Sequence, residues 1–327
     1  MTVLTDIQRG LIDGWQRDFP LHPTPYARIA FSLGVSELSV IGTLSELCRA
    51  GIVSRVGAVV APNTAGASTL AAMAVPPERL ESVAGIVNEE PGVNHNYERE
   101  HRYNLWFVIT GRDRRALDGA LARIRAKTGL DVLDLPLRTA YHIDLGFPLE
   151  GSGKRTVTSA ARHRQESQGS RLMAEDRRLL QAIEDGLPLT ARPYAEVARG
   201  LGTSESGVIE RLERLTACGV IKRLGLVVRH RELGYRANAM VVWDIDDRDI
   251  DTVGEAFAAF PFVTLCYRRP RRAPAWPYNL FCMIHGRDRE TVLGQIEALR
   301  ACAPEAPMDV LFSRRRFKQC GARLSVA

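Results

Sequence analysis

The sequence predicts an α+β protein made by tandem duplication, each half a winged helix-turn-helix followed by a ferredoxin-like βαββαβ domain. Three observations predict it. Pro20, Pro25, Tyr26, Gly34, Ser36, Gly51, Arg55 and Gly57 recur as Pro188, Pro193, Tyr194, Gly202, Ser204, Gly219, Arg223 and Gly225 without a gap, and a repeat at fixed spacing marks a duplicated unit. In each copy three short runs with helical spacing lead into an alternating stretch. Each copy then runs strand, helix, strand pair, helix, strand, which is the order of a ferredoxin-like sandwich.

The elements follow in order. Residues 5–18 read as a helix, with Ile7, Leu11, Ile12 and Trp15 near helical spacing, broken by Pro20, Pro23 and Pro25. A second helix runs from Tyr26 to Leu33 and stops at Gly34. Ser36 is placed to cap a third, whose apolar face is Val40, Ile41, Leu44 and Leu47 and which ends at Gly51. IVSRVGAVV then alternates toward a two-stranded wing. Beyond it come the strand STLAAMAVP, the helix PERLESVAGIVNEEPG and the hairpin NHNYEREHRYNLWFVITG. The helix DRRALDGALARIRAKTG follows, and LDVLDLPLRTAYHIDLGF closes with a final strand. The second copy repeats this order from ANAMVVWDI to MDVLFSRRRFKQCG. Boundaries are set at 1–62 and 63–150 for the first pair of domains, and at 171–230 and 231–327 for the second. Residues 151–170, Gly/Ser-rich and basic without apolar periodicity, read as a flexible linker.

At 327 residues the chain can hold several cores, and 45 % hydrophobic with 25 % charged residues is ordinary for a globular protein. No apolar run reaches the roughly 20 residues a membrane span needs, and MTVLTDIQRG does not read as a secretory signal. The six cysteines form no CxxC and no metal-finger spacing, which points to reduced thiols in a cytoplasmic protein with no metal site built on them. The net charge of +6 is unevenly placed. Arg268, Arg269, Arg271 and Arg272 form one run, and Arg314, Arg315, Arg316 and Lys318 another. Such runs are solvated faces, nucleic-acid contacts, or a pocket for a ligand rich in carboxylates, which arginine binds in a bidentate way.

The stretch 93–111, VNHNYEREHRYNLWFVITG, carries the most chemistry, and it recurs altered as VTLCYRRPRRAPAWPYNLFCMIHG. Tyr97 aligns with Tyr267 and Arg99 with Arg269, and the second copy holds an insertion before YNLF. The plain reading of Tyr97 and Tyr267 is half-buried packing, and Trp106 and Phe107 read as core. Three histidines (His95, His101, His142) with Arg99, Arg102 and Arg138 weigh toward a functional pocket. The inner strands and last strand of such a sheet are expected to bring all six together. A helix-turn-helix also invites a DNA-binding reading. Yet the first recognition helix has only Arg49 against Glu37 and Glu46, and the second sets Arg211 and Arg214 against Glu205, Glu210 and Glu213. Such helices supply little phosphate attraction, so DNA binding is expected to be weak or lost.

A winged helix followed by a ferredoxin-like ligand domain resembles the Lrp/AsnC regulators. The motifs HNYEREHRYNLWFVITG, LPLRTAYHIDLGF and LFSRRRFKQCGARL resemble those of the siroheme decarboxylases within that superfamily, in particular the fused NirD–NirL type. The resemblance spans residues 5–322, with a NirD-like first half and a NirL-like second half. It implies removal of carbon dioxide from two acetate side chains of siroheme, giving didecarboxysiroheme on the route to heme d1. It implies no cofactor of the protein's own, since siroheme is the substrate and brings its iron. It also implies pairing of the ligand domains, with a homodimer or association with related decarboxylase subunits as further possibilities. The alternative reading is an Lrp/AsnC-type regulator sensing a small ligand or heme.

By motif, the resemblance gives His95 as the leading proton donor and His142, in the YHID motif, as second choice. Tyr97 and Tyr103 would orient or donate, and Arg99 and Arg138 would hold carboxylates. In the second half the matching positions are Tyr267, Arg269, Tyr278 and Arg316, with Lys318 nearby. There Leu265 stands in place of His95, and FKQCG replaces the YHID segment. That half is therefore expected to bind carboxylates or to serve as scaffold. The chemistry suits these residue types. Protonating the carbon left by a departing carbon dioxide needs an acid that works near neutral pH, and histidine is one.

Overall fold

The computed structural model describes residues 4–143, 146, 147, 149 and 172–321. The linker expected over 151–170 lies outside the described residues. In the first half the elements are α1 (Asp6–Gly14), α2 (Pro25–Leu33), α3 (Glu37–Arg49), β1 (Val53–Val60), β2 (Ala67–Met73), α4 (Leu80–Glu89), β3 (Val93–Arg99), β4 (Leu105–Gly111), α5 (Arg114–Thr128), β5 (Leu133–Pro136) and β6 (Thr139–Ile143). In the second they are α6 (Ala174–Ala182), α7 (Pro193–Leu201), α8 (Glu205–Ala217), β7 (Ile221–Val228), β8 (Ala237–Trp243), α9 (Ile250–Ala258), β9 (Val263–Arg268), β10 (Leu280–Gly286), α10 (Arg289–Arg300) and β11 (Met308–Gln319). The chain divides into two compact units, each drawing on both halves. One takes the chain to Ala65 and again up to Gly234, and the other starts at Gly66 and again at Tyr235.

The first unit holds the two helix-turn-helix motifs. Their turns follow from local chemistry. Gly34 and Gly202 cap α2 and α7 in the left-handed conformation, at φ 66° and 67°, which glycine adopts without steric cost. The Ser36 and Ser204 hydroxyls accept from the backbone N–H groups of Ser39 and Gly207, both at 3.1 Å, and so start α3 and α8. The first helix stops at Gly14, short of the expected residue 18, because the next residues pair with a strand. Trp15 O accepts from Leu226 N–H at 2.8 Å, and Phe19 N–H donates to Leu224 O at 3.2 Å. The expected wing is made between the copies. β1 pairs antiparallel with β7, with Gly57 opposite Gly225. Tyr26 and Tyr194 are fully buried, and each hydroxyl donates to the other copy's loop, Tyr26 to Pro188 O at 3.1 Å and Tyr194 to Pro20 O at 2.9 Å.

The second unit is one nine-stranded sheet in the order β5-β2-β4-β3-β11-β8-β10-β9-β6. The last strand of the first half is not single. It breaks into β5, which pairs with β2, and β6, which pairs with β9 of the second half. In the second half the counterpart stays continuous. The first part of β11 pairs with β8 and its last part with β3. Because residues 137–138 join β5 to β6 at opposite ends of the strand order, the sheet folds back on itself. Two βαββαβ sheets then face each other. Alternation puts one side of each sheet against its own helices, in cores centred on Phe107 and Ile124 and on Trp243 and Phe257. The other sides meet in a shared inner core of Trp106, Trp276, Phe281, Met240, Leu135 and Leu311.

Candidate active site

The sheet registers fix which residues of the two halves are equivalent. β11 sets Arg316 opposite Tyr97, Lys318 opposite Asn96 and Gln319 opposite His95. β6 sets Ala140 opposite Tyr267, His142 opposite Cys266 and Ile143 opposite Leu265. Lys318 therefore holds the place of His142, and Arg138 corresponds to Arg314. The sequence match of Arg138 with Arg316 is out by two residues, and Arg316 corresponds to Ala140. His95 and His142 belong to different junctions, β3–β11 and β9–β6.

At the first junction the His95 ring stacks on Tyr97, with centroids 6.3 Å apart, and its Nδ1 lies 2.6 Å from Asn94 Oδ1. An amide oxygen only accepts, so Nδ1 is the donor in this pair. The Arg99 guanidinium lies 6.0 Å from the Tyr97 ring centroid. It donates from Nη1 to Leu311 O at 3.1 Å and from Nη2 to Met283 Sδ at 3.8 Å. Arg316 Nη1 donates to Gln319 Oε1 at 2.9 Å. Lys318 turns to the helix side and donates to Asn88 O of α4 at 2.9 Å.

The second junction mirrors this geometry and changes its chemistry. The Arg269 guanidinium lies 5.2 Å from the Tyr267 ring centroid and donates from Nη1 to Leu135 O at 2.6 Å. Burial lowers its pKa to about 10, which leaves it a cation at neutral pH, and burial holds the Tyr267 phenol well above its ordinary value. Tyr141 packs into the helix-side core, and a break in register between Ala140 and His142 sets His142 opposite Cys266 of that same core, as Lys318 is set on the helix side at the first junction. Leu265, where His95 would stand, offers no proton.

The sequence reading does not include His285. It sits on β10 opposite the buried Asn238 of β8. The Thr264 hydroxyl donates to Met283 O at 2.9 Å and lies 2.8 Å from His285 Nδ1. One hydroxyl has one hydrogen, so Nδ1 is the donor in this pair. Thr264, His285 and Asn238 thus stand on the neighbouring strands β9, β10 and β8, with His142 on β6 beside β9. The signal was available. In the aligned motifs YNLWFVITG and YNLFCMIHG, His285 replaces Thr110.

The six residues expected to converge do not. His101 sits at the β3–β4 turn, where Nε2 lies 3.1 Å from Asp309 Oδ2 and Nδ1 accepts from Tyr103 N–H at 2.9 Å. Arg102 stacks beside Tyr103 at 5.8 Å. Tyr103 and Tyr278 flank Trp276, with ring centroids at 5.8 and 5.0 Å. Arg138 is exposed and joins the second junction through its N–H to Arg268 O. The two arginine runs are largely engaged in ion pairs. Arg268 and Arg271 reach Asp247, Arg272 reaches Asp134, and Arg314 and Arg315 reach Glu98.

In the helix-turn-helix unit three arginines are taken up in ion pairs. Arg211 and Arg214 of α8 both hold the fully buried Asp176 carboxylate, and Arg192 holds Glu205. Burial alone would raise the Asp176 carboxyl. The hydrogen bonds from Arg214, Arg211 and the Met173 N–H outweigh it and leave the pKa lowered. Among the described residues no group of His, Cys, Asp and Glu is placed to hold a metal, and no single helix is long and apolar enough to cross a membrane.

Comparison with known proteins agrees with this architecture. A model of the AsnC-like ligand binding domain matches residues 65–142 and 232–318, and a model of the siroheme decarboxylase NirDL-like HTH domain matches 8–53 and 176–222. The siroheme decarboxylase NirDL subunit of Paracoccus denitrificans (strain Pd 1222) is 44 % identical over 324 residues, covering 98 % of both chains. The chain belongs to the siroheme decarboxylases of the NirDL type. A crystal structure of the siroheme decarboxylase NirDL superposes with a TM-score of 0.70 at 29 % identity, covering 98 % of this chain and 94 % of that one. A second, in co-complex with an iron-uroporphyrin III analogue, gives a TM-score of 0.67 at 30 % identity, covering 94 % and 91 %. The duplication and the tandem domain order are those of this family.

Proposed function

We propose that this chain removes carbon dioxide from two acetate side chains of siroheme, giving didecarboxysiroheme for heme d1 biosynthesis. The observation that carries the reading is the end-to-end likeness to siroheme decarboxylase NirDL across both halves, 44 % identical over 98 % of the chain. The site residues are our assignment. In each decarboxylation the bond between the acetate methylene and its carboxylate breaks. Carbon dioxide leaves, and the electron pair passes to the methylene and the conjugated macrocycle. An imidazolium then gives its proton to that carbon, which becomes a methyl group, and solvent reprotonates the imidazole. Nothing is oxidised or reduced.

His95 is the leading donor at the first junction, with Tyr97 stacked beside it. At the second, His285, whose ring Thr264 fixes, is the donor we assign, with His142 of β6 as the second choice. Arg269 and the exposed Arg138 are suited to the remaining carboxylates. Arg99 and Arg269 also brace the two sheets through Leu311 and Leu135, so holding a carboxylate would add to a structural role. Lys318, bound to Asn88, supports the fold and is withdrawn from the substrate set. The low-polarity inner face favours the departure of a charged carboxylate as neutral gas.

The deciding experiment is anaerobic incubation of the purified protein with siroheme, followed by mass spectrometry of the extracted pigment. Loss of two carbon dioxide molecules is expected. Bound but unchanged pigment would make the chain a carrier or one part of a larger enzyme with related subunits. Unbound pigment together with a gel shift on DNA would favour the regulator, a reading the Asp176 ion pairs on α8 weigh against.

A further inference from the structure

The insertion in the second half breaks the symmetry of the inner core. It carries Trp276, only 1 % exposed, over that core. The indole contacts residues of both halves, with ring centroids 5.2 Å from Trp106 and 6.0 Å from Phe281. Arg272 clips the loop down by donating from Nε to Asp134 O at 2.8 Å, and Arg271 does so through Asp244. The first half has no counterpart to Trp276 (the residues from Tyr97 to Asn104 are five fewer than those from Tyr267 to Asn279). The loop therefore adds one buried N–H beside Phe281, whose ring the Arg269 guanidinium also approaches.

That place lacks acceptors. Among the described residues, Trp276 Nε1 and Arg269 Nε are buried without a hydrogen-bond partner. Both side chains lie against the Phe281 ring, the guanidinium carbon 5.9 Å and the indole centroid 6.0 Å from its centre. Asp134, whose charge is felt at Arg269, is already engaged by Thr69, Arg114 and Arg272. A buried donor without an acceptor is costly, and a cation nearby calls for an anion. The Arg269 side chain as a whole is half-buried, although its Nε is not exposed.

We propose that Arg269 and Trp276 form a carboxylate-binding subsite, created by the insertion, at the hairpin end of the inner core. The guanidinium supplies charge and Nε–H, the indole supplies a second N–H, and Phe281 is the apolar wall. The carboxylate is a side-chain arm of the tetrapyrrole or a free small carboxylate. The first source rests on the decarboxylase reading, and the second does not.

The test is nitrogen-15 indole labelling of the full chain, with the Trp276 N–H resonance assigned through Trp276→Phe and followed by NMR. Should Trp276→Phe fail to fold, Arg269→Gln gives the assignment, as the indole that alone loses its response to acetate. The expected result is a saturable downfield shift of this resonance with sodium acetate, absent in Arg269→Gln and weaker in Arg269→Lys. A matching shift with iron-free uroporphyrin III identifies the arm of a macrocycle as the occupant. A shift with acetate alone identifies a free carboxylate. No shift with either probe overturns the subsite, and if the wild type still decarboxylates siroheme the functional reading stands without it. A shift in a protein that leaves siroheme unchanged keeps the subsite and removes that reading.

Discussion

Arg99 reaches across the inner core to the carbonyl of Leu311, at 3.1 Å, and so ties the first half to the last strand of the second. Arg269 does the same in reverse through Leu135. Arg99→Ala is expected to lower the unfolding free energy by about 1–3 kcal/mol, since it leaves a buried carbonyl without its donor. Urea denaturation measures this. The same variant should also bind siroheme more weakly if Arg99 holds a carboxylate, and unchanged affinity in the folded variant would restrict it to bracing.

The Asp176 carboxyl titrates below its ordinary value in the folded state. A depressed carboxylate adds stability above its unfolded pKa and loses it as pH falls through the folded one. Acidification from about pH 5 downward should therefore cost the wild type stability that Asp176→Asn has already lost. At neutral pH that variant should be less stable by about 1–3 kcal/mol, and parallel acid titrations of the two proteins would rule the assignment out.

Gly225 packs where a Cβ would sit 2.5 Å from Gln16 C and O and 2.6 Å from Trp15 O, all backbone atoms. At its partner Gly57 the nearest atom would be the Arg55 side chain, at 3.3 Å. Gly225→Ala should cost about 1–3 kcal/mol or more, as overpacking does, and Gly57→Ala clearly less. Thermal melts of the two variants would settle the order.

Replacing a general acid should cost roughly a hundredfold to ten thousandfold in rate. His95→Ala is expected to fall in that range under single turnover, and so is His285→Asn if the second junction also works. A variant that halts after losing one carbon dioxide would assign its histidine to one acetate. Full decarboxylation at the wild-type rate would remove that histidine from the mechanism.

The repeats were legible because they are local. Matching glycines, prolines and tyrosines predict two copies of the same turns, and Gly34, Gly202, Ser36 and Ser204 cap the helices as their types require. Strand exchange was not legible. The alternation of IVSRVGAVV marks a strand without saying which chain segment pairs with it, and β7 of the other copy does. The same limit hid the break between β5 and β6, and with it the separation of His95 from His142. His285 is not legible because one ring in a core strand reads as packing without Thr264 and Asn238 beside it.

The crossing strands have a consequence for how such a protein can be made. β1 has its ladder partner in β7, and β3 in β11, so each copy on its own would present raw strand edges. Translated as separate polypeptides, the copies would have to meet before either could finish folding, and a shortage of one would leave the other prone to aggregate. Joining them end to end fixes the ratio at one to one and turns a bimolecular encounter into a search within a single chain.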